Sequence, residues 1–82
     1  MSENQIEFEN KDYYIELGLN IAFYRKRAGM TQDILAEKAN LSRSHLSAIE
    51  APNIIRPFSL EVLFNIARAL GVEPYKLLQF RD

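Results

Sequence analysis

The 82-residue sequence contains no cysteine and no tryptophan, and it has one histidine, three glycines and three prolines. Without cysteine the chain has no disulfide, no thiolate metal ligand and no cysteine nucleophile. Few glycines and prolines, with 48% hydrophobic residues, indicate one globular domain rather than a disordered chain. No apolar run approaches the roughly 18–20 residues that a membrane span requires. We therefore expect a cytoplasmic protein that does not contact a membrane.

An excess of positive charge is also lacking. Ten Lys and Arg residues oppose eleven Asp and Glu, so the net charge is −1 and does not by itself favour a polyanionic partner. The charges are unevenly placed, however. Acidic residues dominate the first sixteen positions, while Arg25, Lys26, Arg27, Arg43 and Arg56 lie in the middle. This distribution is compatible with a local basic face on a nearly neutral protein.

Hydrophobic residues recur with helical spacing, and no segment alternates with a period of two, so the domain is predicted to be all-α. The first helix is expected from about residue 12 to residue 28, capped by Asn10 or Asp12 and ended by Gly29. Further helices are predicted over residues 32–39, 43 to 50 or 51, 60–70 and 74–80. An acidic extension over residues 1–11 precedes this domain, which spans residues 12–82.

Short polar residues and glycine mark the ends of these helices. Asn40 and Gly71 stand where a left-handed residue ends a helix. Two prolines between residues 51 and 58 exclude a continuous helix there. The predicted N-caps of the second, third and fourth helices are Thr31, Ser42 and Ser59.

The second and third helices form a predicted helix-turn-helix over about residues 31–50. Ala36 is small enough to let the two helices approach closely. Leu46 and Ile49 have the spacing to anchor the third helix on the core. The outward face then consists of one cation and three small residues: Arg43, Ser44, Ser47 and Ala48.

This outward face is chemically suited to reading DNA in the major groove. Long Glu or Lys side chains would hold a helix away from the base edges, whereas serine and alanine let the backbone approach. Serine can hydrogen-bond several bases, and alanine can contact a thymine methyl. The guanidinium of Arg43 can pair bidentately with guanine, which is worth roughly 1–3 kcal/mol of discrimination.

The runs LGLNIAFYRKRAGMTQDILAEKANLSRSHLSAIE and SLEVLFNIARALGVEPYKLL resemble the Cro/C1-type (XRE-like) helix-turn-helix repressor family. The resemblance covers about Leu17 to Leu78 and includes features of all five predicted helices. It implies a compact five-helix bundle of the lambda-repressor-like type, which binds double-stranded DNA as a homodimer. Helix three of each subunit would enter successive major grooves of a palindromic operator, roughly 34 Å apart.

Individual roles follow from the resemblance. The positions of Arg43, Ser44, Ser47 and Ala48 contact bases in such proteins. Arg25 and Glu50 match an ion pair between helices one and three. Phosphate contacts are implied for Gln32 and Ser42, and for Asn53 and Arg56 in the loop after helix three. Lys26 and Arg27 are expected to be solvated.

The loop between helices three and four departs from the family pattern, because it is about two residues longer and unusually apolar. Ile54, Ile55 and Phe58 either fill a gap over the core or contact a second subunit. The fifth helix offers a competing dimer surface with Tyr75, Leu78 and Phe80. A further apolar stripe on helix one, formed by Ile15, Leu19 and Phe23, is either an interface or covered by Ile6 and Phe8 of the extension.

The sequence and this resemblance therefore predict a transcriptional regulator that works as a homodimer. Repression by blocking a promoter is favoured over activation by contact with a polymerase. The alternative, favoured by the exposed apolar residues, is an antitoxin or other interaction module that mainly holds a protein partner. An enzyme is not expected, because the single His45 has no partner that would form a recognisable catalytic site. No cofactor, metal or small-molecule ligand is predicted.

Overall fold

The computed structural model describes residues 9–80, and within this range it contains five α-helices and no strand. The all-α prediction is confirmed. Residues 1–8 and 81–82 lie outside the described range, so the expected cover by Ile6 and Phe8 does too. The helices are α1 (Lys11–Arg27), α2 (Gln32–Lys38), α3 (Arg43–Glu50), α4 (Leu60–Leu70) and α5 (Pro74–Leu77).

Side-chain caps define the starts of the three middle helices. The hydroxyls of Thr31, Ser42 and Ser59 accept hydrogen bonds from the backbone N–H of the residue three positions later, as predicted. The start of α1 differs from these, because Asn10 occupies its N-cap but makes no capping hydrogen bond through its side chain. The N-cap hydroxyls thus fix both helices of the helix-turn-helix at their first turn.

Left-handed residues end three of the helical segments. Gly29 has φ 74° and Gly71 has φ 72°, a region that glycine enters without steric cost. Asn40 has φ 61° in the turn between α2 and α3, where asparagine is better tolerated than most residues. The prediction for these positions is confirmed, and the turn at Asn40 sets the crossing of α2 and α3.

The core lies between α1 and the remaining helices. Side chains from every helix contribute to it. Ala36 of α2 and the predicted anchors of α3, Leu46 and Ile49, are all buried. Ala28, which continues the apolar spacing of α1, is exposed because α1 has already ended at Arg27. The buried apolar residues are Leu17, Ile21, Leu35, Ala36, Ala39, Leu46, Ile49, Leu63, Ile66, Ala67, Leu70 and Leu77.

The last helix is shorter than the sequence predicts, since α5 ends at Leu77 rather than Phe80. The buried side chain of Asn20 explains this end. Its Nδ2 donates hydrogen bonds to the carbonyl oxygens of Leu77, at 2.9 Å, and Gln79, at 3.1 Å. These bonds hold a non-helical segment after α5, and Phe80 then stacks on Tyr13 of α1 with ring centroids 5.6 Å apart.

A glycine allows α1 and α3 to cross at very short range. A Cβ atom placed on Gly18 would lie 2.2 Å from the carbonyl oxygen of Ile49 and 3.2 Å from its carbonyl carbon. Both contacts are with backbone, which cannot rotate away as a side chain could. Gly18 therefore brings the end of α3 directly against α1 and fixes how α3 is presented to solvent.

Candidate nucleic-acid interface

The outward face of α3 has the composition that the sequence predicts. Leu46 and Ile49 are buried, with 0% and 4% of their surface exposed, so the opposite side of the helix faces solvent. Arg43 and Ser44 are exposed, while Ser47 and Ala48 are half-buried. The hydroxyls of Ser42 and Ser44 lie 3.3 Å apart at the start of the helix. The N-terminal end of α3 is consequently its most accessible part.

An ion pair joins α1 to the end of α3 beneath this face. Arg25 donates from Nε to Glu50 Oε2 at 2.8 Å and from Nη2 to Glu50 Oε1 at 3.0 Å. Its Nη1 also donates to the carbonyl oxygen of Met30 at 2.9 Å. The side chains of Arg25 and Glu50 are only 11% and 5% exposed. The negative charge of Glu50 is therefore neutralised locally.

Gln32 connects this buried pair to the outward face of α3. Its Nε2 donates to Glu50 Oε1 at 2.9 Å, and its Oε1 accepts a hydrogen bond from Arg43 Nε at 3.1 Å. Arg43 also lies near a carboxylate, with its Nη1 3.5 Å from Asp33 Oδ1. The side chains of Arg25, Glu50, Gln32 and Arg43 thus form one continuous hydrogen-bonded chain from α1 to the start of α3.

An open groove of about 440 Å³ lies beside this network, between α1 and the residues that follow α3. Lys26 and Ser47 line it together with Arg25, Gln32 and Glu50. Lys26 is predicted from the sequence to be a solvated cation. It lines the same groove as Ser47, so it lies on the same side of the molecule as the outward face of α3. The role of Asp33 next to Arg43 was also missed, because the sequence shows it only as a favourable acid in the first turn of α2.

The remaining predicted contact residues lie in the loop after α3. Asn53 and Arg56 are exposed there. Phe58 packs against the core, whereas Ile54 is 46% exposed and Ile55 is half-buried. The apolar loop thus fills part of the core surface with Phe58 and leaves Ile54 in solvent.

Large apolar side chains are exposed on other faces as well. Tyr75 of α5 is 57% exposed and Leu78, just after α5, is 47% exposed, while Phe80 packs partly against the core. The stripe on α1 is open at Leu19 and Phe23. Within residues 9–80, no helix is both long and apolar enough to cross a bilayer.

Comparison with known proteins identifies the class to which this fold and face belong. A sequence model described as Helix-turn-helix matches residues 21–77. The fold is similar to the N-terminal DNA binding domain of SinR from Bacillus subtilis, with a TM-score of 0.70 and 35% identity, covering 79% of this chain and 93% of that chain. The chain belongs to the helix-turn-helix family, of the Cro/C1 (XRE-like) type.

Two curated relatives are similar over part of their length. The HTH-type transcriptional regulator SinR of Bacillus licheniformis is 36% identical over 66 residues, which cover 80% of this chain and 59% of that protein. The Immunity repressor protein of Bacillus phage phi105 is 47% identical over 57 residues, which cover 70% of this chain and 38% of that protein. The chain therefore spans less than two thirds of either relative.

Proposed function

We propose that this protein is a DNA-binding transcriptional regulator that represses by occupying an operator. The observation that carries this proposal is the outward face of α3, which combines Arg43 with three small residues. Its first turn is exposed to solvent. The similarity to a regulator, an immunity repressor and a DNA binding domain supports it. We also propose a cytoplasmic location, because the similar regulators come from a bacterium and a bacterial phage, whose DNA is held in that compartment.

The base-reading residues in this proposal are Arg43, Ser44, Ser47 and Ala48. Arg43 and Ser44 are exposed at the first turn of α3, so they would reach furthest into the major groove. Ser47 and Ala48 are half-buried one turn later. Because their side chains are short, they would contact only bases that lie close to the backbone of α3. The bidentate preference of arginine assigns a guanine to the position opposite Arg43.

The proposed phosphate contacts lie before and after α3 along the chain. Gln32 and Ser42 stand at the starts of α2 and α3, where backbone N–H groups and the helix dipole also favour an anion. Asn53 and Arg56 are exposed in the loop after α3 and would hold the backbone beyond the end of that helix. Such contacts fix the orientation of the protein, whereas the bases determine its sequence preference.

We propose that two copies bind a palindromic site as a homodimer. One α3 helix per half-site, roughly 34 Å apart, is the arrangement in which a two-fold protein matches a two-fold operator. The candidate interface residues are Ile54, Ile55, Phe58, Tyr75, Leu78 and Phe80. Of these, Tyr75, Leu78 and Ile54 have the exposed apolar surface that a second subunit would cover.

Selection from random duplex DNA tests this function, with the full chain at near-physiological salt and Arg43→Ala as the compared variant. We expect the wild type to enrich a palindrome that contains a guanine in each half-site. The Arg43→Ala variant should bind more weakly and lose the preference at that guanine. Recovery of no consensus by a folded dimer would overturn the proposal.

A second candidate function, an antitoxin or similar module that holds a protein partner, rests on a different observation. Leu60 and Phe64 are 66% and 43% exposed at adjacent turns of α4. An apolar surface of this kind is typical of protein contacts. Failure of DNA selection, with an unchanged fold, would favour this candidate over the repressor.

A further inference from the structure

Arg43 makes two different contacts in the free protein, and they engage different parts of its guanidinium. Its Nε lies 3.1 Å from Gln32 Oε1, and its Nη1 lies 3.5 Å from Asp33 Oδ1. An arginine that approaches guanine end-on uses Nη1 and Nη2 for O6 and N7. The contact with Gln32 leaves the edge formed by Nη1 and Nη2, here called the reading edge, available for guanine. The contact with Asp33 occupies part of this edge.

Gln32 is held firmly enough to act as a support. Its amide nitrogen donates to Glu50 Oε1, and Glu50 is itself paired with Arg25 and nearly buried. These bonds orient the amide so that its oxygen accepts from Arg43 Nε. The long Arg43 side chain is consequently restricted by a support that extends down to α1.

Asp33 has no comparable support. The side chains of Asp33 and Arg43 are 71% and 59% exposed, so their ion pair is solvated and weak. Guanine therefore has only a weak competitor to displace when DNA arrives. An approach in which Arg43 finds no strong acceptor leaves this ion pair in place, so the carboxylate of Asp33 opposes only the binding that uses Arg43.

We propose that Asp33 and Gln32 together determine the specificity of Arg43. This inference rests on the proposed function and extends it. Gln32 is a positioning residue that aims the guanidinium edge outward. Asp33 is a competing acceptor that must be exchanged for guanine, so its carboxylate lowers affinity for the guanine-containing site through Arg43.

The test is a double-mutant cycle with full-chain protein and two DNA duplexes. One duplex carries the site selected by the wild type, and in the other the guanine opposite Arg43 is replaced by adenine in both half-sites. Asp33→Asn is expected to tighten binding to the guanine site by about threefold per half-site, the scale of an exposed ion pair, and by roughly tenfold for the dimer. In the Arg43→Ala background the same substitution should leave the affinity unchanged.

Gln32 has its own expected signature. Gln32→Ala removes the acceptor for Arg43 Nε. It is chosen over Gln32→Glu, because a glutamate would keep the acceptor but place a carboxylate against Glu50. Gln32→Ala should weaken binding to the guanine site more than to the adenine site, because a misaligned Arg43 loses its bidentate contact. Equal weakening on both duplexes would reduce Gln32 to a phosphate contact and overturn its positioning role.

Glu37→Gln is the matched control, because it removes a carboxylate from the exposed side of the same helix one turn later. We expect it to leave the ratio of affinities for the two duplexes unchanged. If Asp33→Asn tightens both duplexes equally, or does so without Arg43, the carboxylate acts only by repelling phosphates and the inference is wrong. If no duplex is selected and Arg43→Ala changes nothing, the proposed function itself fails.

Discussion

Buried charge is the clearest energetic problem at the scale of single residues. Glu50 stands at the end of α3, where a free carboxylate would repel the phosphates of the DNA that is proposed to bind there. Arg25 neutralises it with two hydrogen bonds, and Gln32 provides a third. Met30 accepts one more bond from the guanidinium. A buried ion pair stabilises a fold only when its remaining bonding groups are satisfied in this way.

Replacing Glu50 by Gln tests this arrangement. The substitution leaves the guanidinium of Arg25 nearly buried without its counter-charge, so the free energy of unfolding is expected to fall by about 3 kcal/mol. Urea denaturation followed by circular dichroism measures the change. Asp33→Asn is the control, because its exposed ion pair is expected to contribute less than about 1 kcal/mol.

A second measurement separates the effect of charge on stability from the effect of side-chain volume at Arg25 and Glu50. The double variant Arg25→Met with Glu50→Leu removes both charges and retains similar volume. Its stability is expected to recover most of the loss, because no charge stays buried without a partner. If Glu50→Gln were as stable as the wild type, the pair would be shown to contribute nothing to folding.

At the scale of the elements, the crossing of α1 and α3 depends on one missing side chain. Gly18 lies against the backbone of Ile49, at the end of the helix that presents Arg43 to solvent. The buried pair between Arg25 and Glu50 joins the same two helices. Packing and electrostatics therefore hold the end of α3 in the same orientation.

Gly18→Ala is expected to destabilise the protein, although alanine is the better helix former by about 1 kcal/mol. The new methyl group would overlap the carbonyl of Ile49, and separating the helices costs roughly 1–3 kcal/mol beyond that gain. Thermal unfolding measures the stability, and the affinity for selected DNA reports the shift of α3. A variant more stable than the wild type would show that the crossing has room for a Cβ.

At the scale of the whole molecule, the exposed apolar residues must account for the proposed dimer. Leu78→Ser is expected to raise the dimer dissociation constant at least about tenfold, since the two-fold axis removes the side chain twice. Sedimentation velocity over a concentration series measures this. Leu19→Ser is the control, because Leu19 lines the groove between α1 and the residues that follow α3, whereas Leu78 does not. A larger effect of Leu19→Ser would move the interface to the apolar stripe of α1.

Salt dependence is a property of the whole charge distribution. Although the net charge is −1, only cations close to phosphates release counterions when DNA binds. A dimer that brings Arg43 and Arg56 of each subunit close to the phosphates is expected to lose roughly 100-fold in affinity between 50 and 200 mM monovalent salt. Fluorescence anisotropy at several salt concentrations measures the slope. A flat response would contradict the proposed phosphate contacts.

Much of the fold was predictable because its signals are local. The caps at Thr31, Ser42 and Ser59 each act on a residue three positions away, and Asn40 and Gly71 act through their own backbone. Helical spacing identified the outward residues of α3, and the resemblance to a known family implied that they contact bases. Its DNA contacts stay predictions, since they depend on a second molecule.

The sequence by itself determined that five helices form, the caps of the three middle ones, the buried anchors of α3 and its small polar face, because neighbours along the chain decide these features. Only the tertiary structure decided that Gly18 meets the backbone of Ile49 and that α5 stops where Asn20 takes its carbonyls. The contact of Asp33 with Arg43 belongs to the same group. These features join residues that are distant in sequence, and no local pattern records which atoms packing brings together.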